Sequence, residues 1–287
     1  MPVSSIGKIA AEYTVTEDGN GYIPQSITYY GTVNNEDLFI VGVEKMQKNG
    51  AFFYMIGSLS NGKFVEKKRF YVNNSAGYEQ PEDIFYHSKY GLFVVTNKKT
   101  DGAFTIYNML LCAKIPDELS SVENGSTYYP ASEFRFNGNS NYSKLVVKSI
   151  YITDDGTLYL STNATTASTS SDNYDKDAIF RAQNPSFKNG SQKNVLQDIF
   201  YSPSHGLFYV TFTSTTRIYR LLPEQIEQAS DEPLVPVAVY NKDDAIYEIE
   251  SLVISDSGTL YIAQNCDSEF TKDDAVTQIG ALSFISK

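Results

Sequence analysis

The chain has 287 residues, of which 41% are hydrophobic, so it is long enough and apolar enough to bury a full core. Its net charge of −11 at pH 7 disfavours nucleic acid and anionic membrane surfaces as partners, because like charges repel. No stretch approaches the roughly 18 consecutive apolar residues that a membrane-spanning helix needs, so no membrane insertion is expected.

Five similar hairpins follow one another along the chain. Each consists of two apolar strands, rich in β-branched and aromatic residues, around a short turn. Turns such as Thr153–Thr157 and Ser255–Thr259 contain Asp and Gly, which supply the local hydrogen bonds and the positive φ of a tight reversal. In chain order the hairpins are predicted at residues 25–41, 82–95, 148–161, 197–210 and 250–263.

Further strands follow the hairpins. A third strand is predicted at residues 52–56, 104–107, 178–181, 217–220 and 279–282. A more polar fourth strand is predicted in the first four units, at residues 65–72, 132–136, 192–196 and 234–240. The fifth unit lacks a fourth strand, and residues 8–13 near the N-terminus have the pattern of the missing one.

These units predict an all-β protein, a five-bladed β-propeller that forms a single domain over residues 1–287. The N-terminal strand is expected to complete the last blade and close the ring. A β-sandwich or a two-domain β-protein does not explain five equivalent hairpins. A six-bladed ring, in which the long second unit contains a degenerate blade, stays open as an alternative.

The hairpins also resemble a known family. The segment from Glu250 to Ile262 is similar to the inner hairpins of NHL-type and gluconolactonase-type propellers. This resemblance extends over the whole chain as a style of repeat, and it implies a fold and not an activity. The turns at residues 154–157 and 256–259 are similar to the Asp-box of sialidases, but the spacing differs and the chain contains no Trp. No sialidase residues are therefore transferred.

The first strands of the hairpins are predicted to begin on one face of the ring, around its axis. Equivalent positions there hold Gln25, Glu82, Lys148, Gln197 and Glu250, and the next positions hold Ser26, Asp83, Ser149, Asp198 and Ser251. The long side chains of the first set are expected to converge into an axial pocket or a structural polar plug. The short side chains of the second set either satisfy backbone groups at the strand starts or line the same pocket.

Two carboxylates in the first set suggest chemistry. Glu82 and Glu250 lie two steps apart in the predicted ring, so they are expected to face each other obliquely across the channel. If the chain is an enzyme, these are its catalytic candidates, because paired carboxylates in different environments can divide acid and base roles. Together with the amide oxygens of Gln25 and Gln197 they could instead hold Ca²⁺, which Lys148 opposes. No metal site and no cofactor are predicted.

Aromatic residues precede the same strand starts. Tyrosines at the rim suit a sugar, because a ring stacks on its apolar face while polar groups bond to its hydroxyls. Packing against the next blade is an equally open interpretation of these tyrosines. The predicted ligand-binding residues are Gln25, Lys148, Gln197, Asp83, Asp198, Tyr22, Tyr78 and Tyr247.

The favoured function is a non-catalytic ligand-binding or interaction propeller, with a small molecule or glycan as partner and carbohydrate as the first ligand class. The alternative is a glycoside hydrolase or lyase that uses Glu82 and Glu250. His87 and His205 are predicted in hairpin turns on the opposite face, which disfavours a Ser-His-Asp triad or a zinc site at the axis.

Two further expectations concern the compartment. Cys112 and Cys266 fall in units two and five, which are not neighbours in a five-membered ring, so free thiols are predicted. The abundance of Ser, Thr, Asn and Tyr favours an extracytoplasmic protein. Residues 1–8 contain no apolar run of the kind that a signal peptide needs, so the protein is expected to be cytoplasmic if this is the full-length product.

Overall fold

The structure is a computed structural model of the chain. It describes residues 8–17, 20–45, 52–73, 78–100, 103–135, 145–156, 158–164, 180–181, 188–189, 192–193, 196–212, 217–222, 236–239, 247–266 and 278–283, some of them in the backbone only. Within these ranges the chain forms β-strands, with one 3₁₀ turn at Leu119–Ser121 and no α-helix. None of the described residues forms a helix that is long and apolar enough to cross a membrane.

The described strands are numbered in chain order. They are β1 Lys8–Thr14, β2 Thr16–Glu17, β3 Asn20–Val33, β4 Glu36–Lys45, β5 Phe52–Ser60, β6 Lys63–Val72, β7 Tyr78–His87, β8 Gly91–Thr100, β9 Ala103–Ala113, β10 Ser126–Tyr128, β11 Pro130–Arg135, β12 Leu145–Ile152, β13 Leu158–Ala164, β14 Phe180–Arg181, β15 Lys188–Asn189, β16 Gln192–Lys193, β17 Leu196–Ser202, β18 Leu207–Phe212, β19 Arg217–Leu221, β20 Pro236–Val239, β21 Tyr247–Ile254, β22 Leu260–Cys266 and β23 Gln278–Ser283.

The five predicted hairpins are present. They are the antiparallel pairs β3–β4, β7–β8, β12–β13, β17–β18 and β21–β22. Gly156 and Gly258 adopt φ angles of 90° and 82° in two of the turns, where their N–H groups donate to the carbonyls of Thr153 and Ser255. The positive φ explains why Gly follows Asp or Ser at these positions.

The outer strands follow the prediction in four units. Strands β5, β9, β19 and β23 add antiparallel to the second strand of their hairpins. Strands β6, β11 and β20 add as fourth strands in units one, two and four. Most hydrogen-bonding edges within these units are thereby paired.

The third unit differs from the prediction. Strand β14 pairs parallel with β13, and β15 pairs with β16 instead of extending the unit's sheet. The surrounding sequence is rich in Ser, Thr and Asn, so it lacks the apolar alternation that fixes strand register. The expected antiparallel third and fourth strands are therefore not formed there by the described residues.

The N-terminal strand lies where it was predicted. Strand β1 pairs antiparallel with β23, from Lys8 opposite Ser283 to Thr14 opposite Gln278. On its other side, Thr14 pairs with Lys63 of β6. One continuous sheet therefore runs from the first unit through β1 to the last unit.

The inner strands pack against one another in cyclic order. Strand β3 contacts β7, β7 contacts β12, β12 contacts β17, β17 contacts β21, and β21 contacts β3. Each contributes a buried aliphatic residue at the same position, namely Ile27, Ile84, Ile150, Ile199 and Leu252. Four of these side chains belong to four separate hydrophobic clusters, so the interior of the protein is divided among the units.

Candidate functional site

All five inner strands contain a β-bulge at the same point. In β3, for example, Pro24 lies opposite Val43 and Ser26 opposite Gly42, so the register of the ladder skips the residue between them. The five residues that the register skips are Gln25, Glu82, Lys148, Gln197 and Glu250. A bulge bends the strand and re-aims the side chain of the extra residue. The residues singled out in the sequence thus occupy one structurally equivalent position.

The environments of these residues differ. Gln25 and Glu250 are buried, at 4% and 8% exposure, whereas Glu82 is partly exposed. The side chains of five other predicted ligand-binding residues lie outside the described part of the chain, namely Lys148, Gln197, Tyr22, Tyr78 and Tyr247. Their backbones lie in β12, β17, β3, β7 and β21. The tyrosine rim and the approach of Glu82 to Glu250 therefore stay predictions.

The residue after each bulge is short, polar and buried. Ser26, Asp83, Ser149, Asp198 and Ser251 are at most 3% exposed. A buried hydroxyl or carboxyl needs hydrogen-bond partners, because an unpaired polar group in the interior is costly. Asp83, Ser149, Asp198 and Ser251 have such partners, whereas the Ser26 hydroxyl has none among the described residues.

Side chains near the bulges join each inner strand to the next. Thr28 Oγ1 accepts a hydrogen bond from the Tyr86 N–H (3.0 Å), and Asp83 Oδ2 accepts one from the Ile150 N–H (2.9 Å). Ser149 Oγ accepts from the Ile199 N–H (3.0 Å), and Asp198 Oδ2 accepts from the Leu252 N–H (2.5 Å). Ser251 Oγ donates to the Ile27 carbonyl (3.3 Å). Five bonds thus connect the five neighbouring pairs in turn. Asp83 and Asp198 satisfy backbone groups, which was one of the two interpretations from the sequence. A role in ligand binding stays a prediction for both.

The two carboxyl groups also influence each other. Asp198 accepts a bond from the Ser149 hydroxyl, and Asp83 Oδ1 lies 3.4 Å from the Ser251 Oγ that can donate to it. Burial raises the pKa of Asp198 to about 6. Burial first, and then the negative charge of Asp198, raise the pKa of Asp83 well above its ordinary value. The two groups therefore resist carrying two negative charges at once.

We expect stability to fall as the pH rises through this range. An unfolded Asp has a pKa of about 3.9, so between pH ~4 and ~6 the folded protein retains a proton that the unfolded chain releases. The stabilisation from the bound proton is therefore complete below pH ~4 and is lost as the pH rises through the folded pKa of Asp198. Asp83 extends this loss of stability to higher pH, because its pKa in the folded protein is also raised. Urea unfolding of the wild type and of Asp198→Asn measures this slope. Equal slopes in the two proteins would contradict the assignment.

A cavity of about 320 Å³ lies at the other end of the inner strands, towards the hairpin turns. Each unit contributes the residue two positions after its short polar residue, namely Thr28, Phe85, Tyr151, Phe200 and Val253. The remaining lining residues are Tyr29, Tyr86, Ser202, Pro203, Ser204, Ile254, Ser255 and Asp256. Nothing in the sequence indicated this cavity, since the polar residues that predict a ligand site lie at the strand starts.

Comparison with solved structures identifies the architecture. A mutant form of the GH43 protein BlXynB from Bacillus licheniformis superposes with a TM-score of 0.58 at 12% identity, over 95% of this chain and 55% of that chain. An endo-arabinase from Bacteroides thetaiotaomicron gives a TM-score of 0.51 at 12% identity, over 96% of this chain and 98% of that chain. The fold is a β-propeller.

A periplasmic gluconolactonase from Pseudomonas aeruginosa also matches, at 10% identity and a TM-score of 0.40, over 88% of this chain and 70% of that chain. The resemblance to propellers inferred from the hairpins is confirmed at the level of the fold. The propeller described here spans about half of the length of BlXynB, 55%. No protein-family model and no curated protein matches the chain. These likenesses concern the fold alone.

The remaining candidate residues lie away from the bulges. His87 ends β7, where its Nε2 lies 3.1 Å from Asp154 Oδ1, and His205 follows β17, where its Nδ1 lies 2.8 Å from the Tyr209 hydroxyl. Both histidines are thus at the hairpin-turn end of the propeller, as predicted. Among the described residues, no three His, Cys, Asp or Glu side chains are grouped so that they could hold a metal ion.

Cys112 is a buried free thiol in β9. Its Sγ–H donates to the Tyr90 carbonyl at 3.5 Å, and burial raises the thiol pKa. The side chain of Cys266 lies outside the described residues, as do the acidic stretch at 267–274 and the polar stretch at 165–177.

Proposed function

We propose that the chain is a single five-bladed propeller domain over residues 1–287 that binds a carbohydrate, without catalysing its conversion, on the face where the inner strands begin. The observation that carries this proposal is the β-bulge repeated at Gln25, Glu82, Lys148, Gln197 and Glu250. Five inner strands in cyclic contact, five bonds between neighbouring strands and the pairing of β1 with β23 support the blade number and the closed ring.

Carbohydrate fits the chemistry of this face. Amide, carboxylate and ammonium groups at equivalent positions offer both donors and acceptors to sugar hydroxyls. Tyr22, Tyr78 and Tyr247, each near the start of an inner strand, supply rings for stacking. A glycan ligand agrees with the names of two proteins of similar fold, a GH43 protein and an endo-arabinase. We further propose that no cofactor is needed and that the protein works outside the cytoplasm.

A glycoside hydrolase or lyase is the second candidate. It is favoured by the unequal burial of Glu250, which is 8% exposed, and Glu82, which is partly exposed. Unequal environments are what separates the pKa values of an acid and a base in a carboxylate pair.

We expect Glu82→Gln and Glu250→Gln each to weaken glycan binding by about tenfold, because each removes charge-assisted bonds to sugar hydroxyls. A glycan array on the wild type, with arabino-oligosaccharides included, identifies the ligand, and calorimetry measures the dissociation constants. Glu123→Gln is the matched control, since Glu123 is exposed and distant in the fold from the bulges. Titrations with EDTA and with Ca²⁺ test the absence of a cofactor.

A reducing-end assay on the same glycans separates the two candidates. Binding without turnover supports the proposal. Turnover that both variants abolish, with unchanged melting temperatures, would favour the hydrolase. A wild type that binds no glycan and cleaves none would refute both.

A further inference from the structure

The cavity at the hairpin-turn end is separated from the bulged face by the buried Ser and Asp residues. Its lining comes from all five inner strands, so it lies around their common axis. Asp83 and Asp198, at 3% and 2% exposure, lie between the bulges and the cavity along their strands. The cavity is therefore a second location, independent of the proposed glycan face.

The cavity owes its space to an asymmetry among equivalent residues. Units two, three and four place a ring at this position, from Phe85, Tyr151 and Phe200, whereas units one and five place the smaller Thr28 and Val253. The two smaller side chains line the same cavity as the three rings. Phe85 and Phe200 remain partly exposed although they lie near the axis.

The three rings form one wall. The centroids of Phe85 and Tyr151 are 4.8 Å apart and those of Tyr151 and Phe200 are 5.3 Å apart, both in edge-to-face contact. Because the rings pack against each other, they do not enclose a charged centre as an aromatic cage for ammonium groups does. A wall of this kind presents apolar surface to a flat apolar face of a ligand.

The lining also contains polar residues. Ser202, Ser204 and Ser255 carry hydroxyls, and Asp256 is exposed and carries a carboxylate. Among the described residues that line the cavity there is no Lys, Arg or His. Phosphates and other anions are therefore disfavoured, while a neutral ligand with several hydroxyls finds both donors and acceptors.

We propose that this cavity is a second binding site, for a neutral sugar ring. The sugar stacks on the wall of Phe85, Tyr151 and Phe200 and forms hydrogen bonds with the hydroxyls of Ser202, Ser204 and Ser255. The volume of about 320 Å³ lies at the lower end of the range of small-molecule pockets, which suits one or two sugar rings. The site binds independently of the bulged face.

Two variants test the site. Val253→Phe supplies one of the missing rings and fills the cavity, and Ser204→Trp blocks its rim from an exposed turn. Ser88→Trp is the matched control, because Ser88 is exposed in the turn of another hairpin and does not line the cavity. The probes are the methyl glycosides of arabinose, xylose, glucose, galactose and mannose, with glucose 6-phosphate and tetramethylammonium for comparison. Saturation-transfer NMR and calorimetry measure binding.

At least one methyl glycoside is expected to bind, with affinity reduced by about tenfold or more in Val253→Phe and Ser204→Trp and retained in Ser88→Trp. No binding of any methyl glycoside would overturn the proposal. So would binding that Glu82→Gln abolishes and the cavity variants retain, since that result assigns the sugar to the bulged face. Tighter binding of tetramethylammonium or of the sugar phosphate would overturn the ligand class.

Discussion

Asp198→Ala is expected to lower the free energy of unfolding by about 3 to 5 kcal/mol, because buried donors lose their acceptor. The carboxyl oxygens of Asp198 accept from the N–H groups of Leu252 and Ile199 and from the Ser149 hydroxyl. The residue is 2% exposed, so water cannot replace these bonds without opening the core. A loss of this size approaches the whole stability of many domains, about 5 to 15 kcal/mol. Urea unfolding followed by circular dichroism and tyrosine fluorescence measures it.

Two further variants serve as comparisons for Asp198→Ala. Asp198→Asn keeps one acceptor oxygen, so it is expected to cost less than the alanine variant. Asp117→Ala, at an exposed bend, is expected to change stability by less than about 0.5 kcal/mol. A cost below about 1 kcal/mol for Asp198→Ala would show that the bonds between neighbouring inner strands do not hold the propeller together.

Deleting residues 1–14 is expected to abolish cooperative folding. The deletion removes β1, which pairs with β23 over six residue pairs and connects the last unit to β6 of the first unit. Strand β23 would become an exposed edge, which invites aggregation. The variant would also lose Tyr13, which packs against the core cluster around Phe39 and Val253. Far-UV circular dichroism and size-exclusion chromatography report the loss.

Adding the missing strand back in trans provides the decisive control. A synthetic peptide of residues 7–15 is expected to restore a cooperative melting transition, because it can pair with β23 as β1 does. A peptide with Ala11→Pro should fail, since proline cannot donate to a strand ladder. A truncated chain that melts cooperatively at the wild-type temperature without any peptide would refute the closure of the ring by β1.

Local chemistry made the hairpins predictable. Two runs of apolar residues on either side of a short turn specify a hairpin without reference to the rest of the chain, and all five hairpins are present. The equivalence of Gln25, Glu82, Lys148, Gln197 and Glu250 also followed from repeat alignment, because repeated units place matching residues at matching positions. The prediction of the outer strands failed at the described residues 180–181, 188–189 and 192–193, where polar sequence leaves the register weakly specified.

Other features depend on contacts between units that are distant in sequence. The sequence predicted a column of Ser and Asp, but only the packing of neighbouring inner strands decided that Asp83 bonds to Ile150 and Asp198 to Leu252. It also decided that the two carboxyl groups come close enough to influence each other's pKa.

The repeats by themselves determined that this chain forms hairpins around an axis, and which residues occupy the strand starts. The tertiary structure alone decided where space remains, because a cavity depends on the summed volumes of side chains from separate units. Thr28 and Val253 are ordinary strand residues in isolation. They line a cavity only because the fold brings them together with Phe85, Tyr151 and Phe200, which occupy the equivalent positions in the other units.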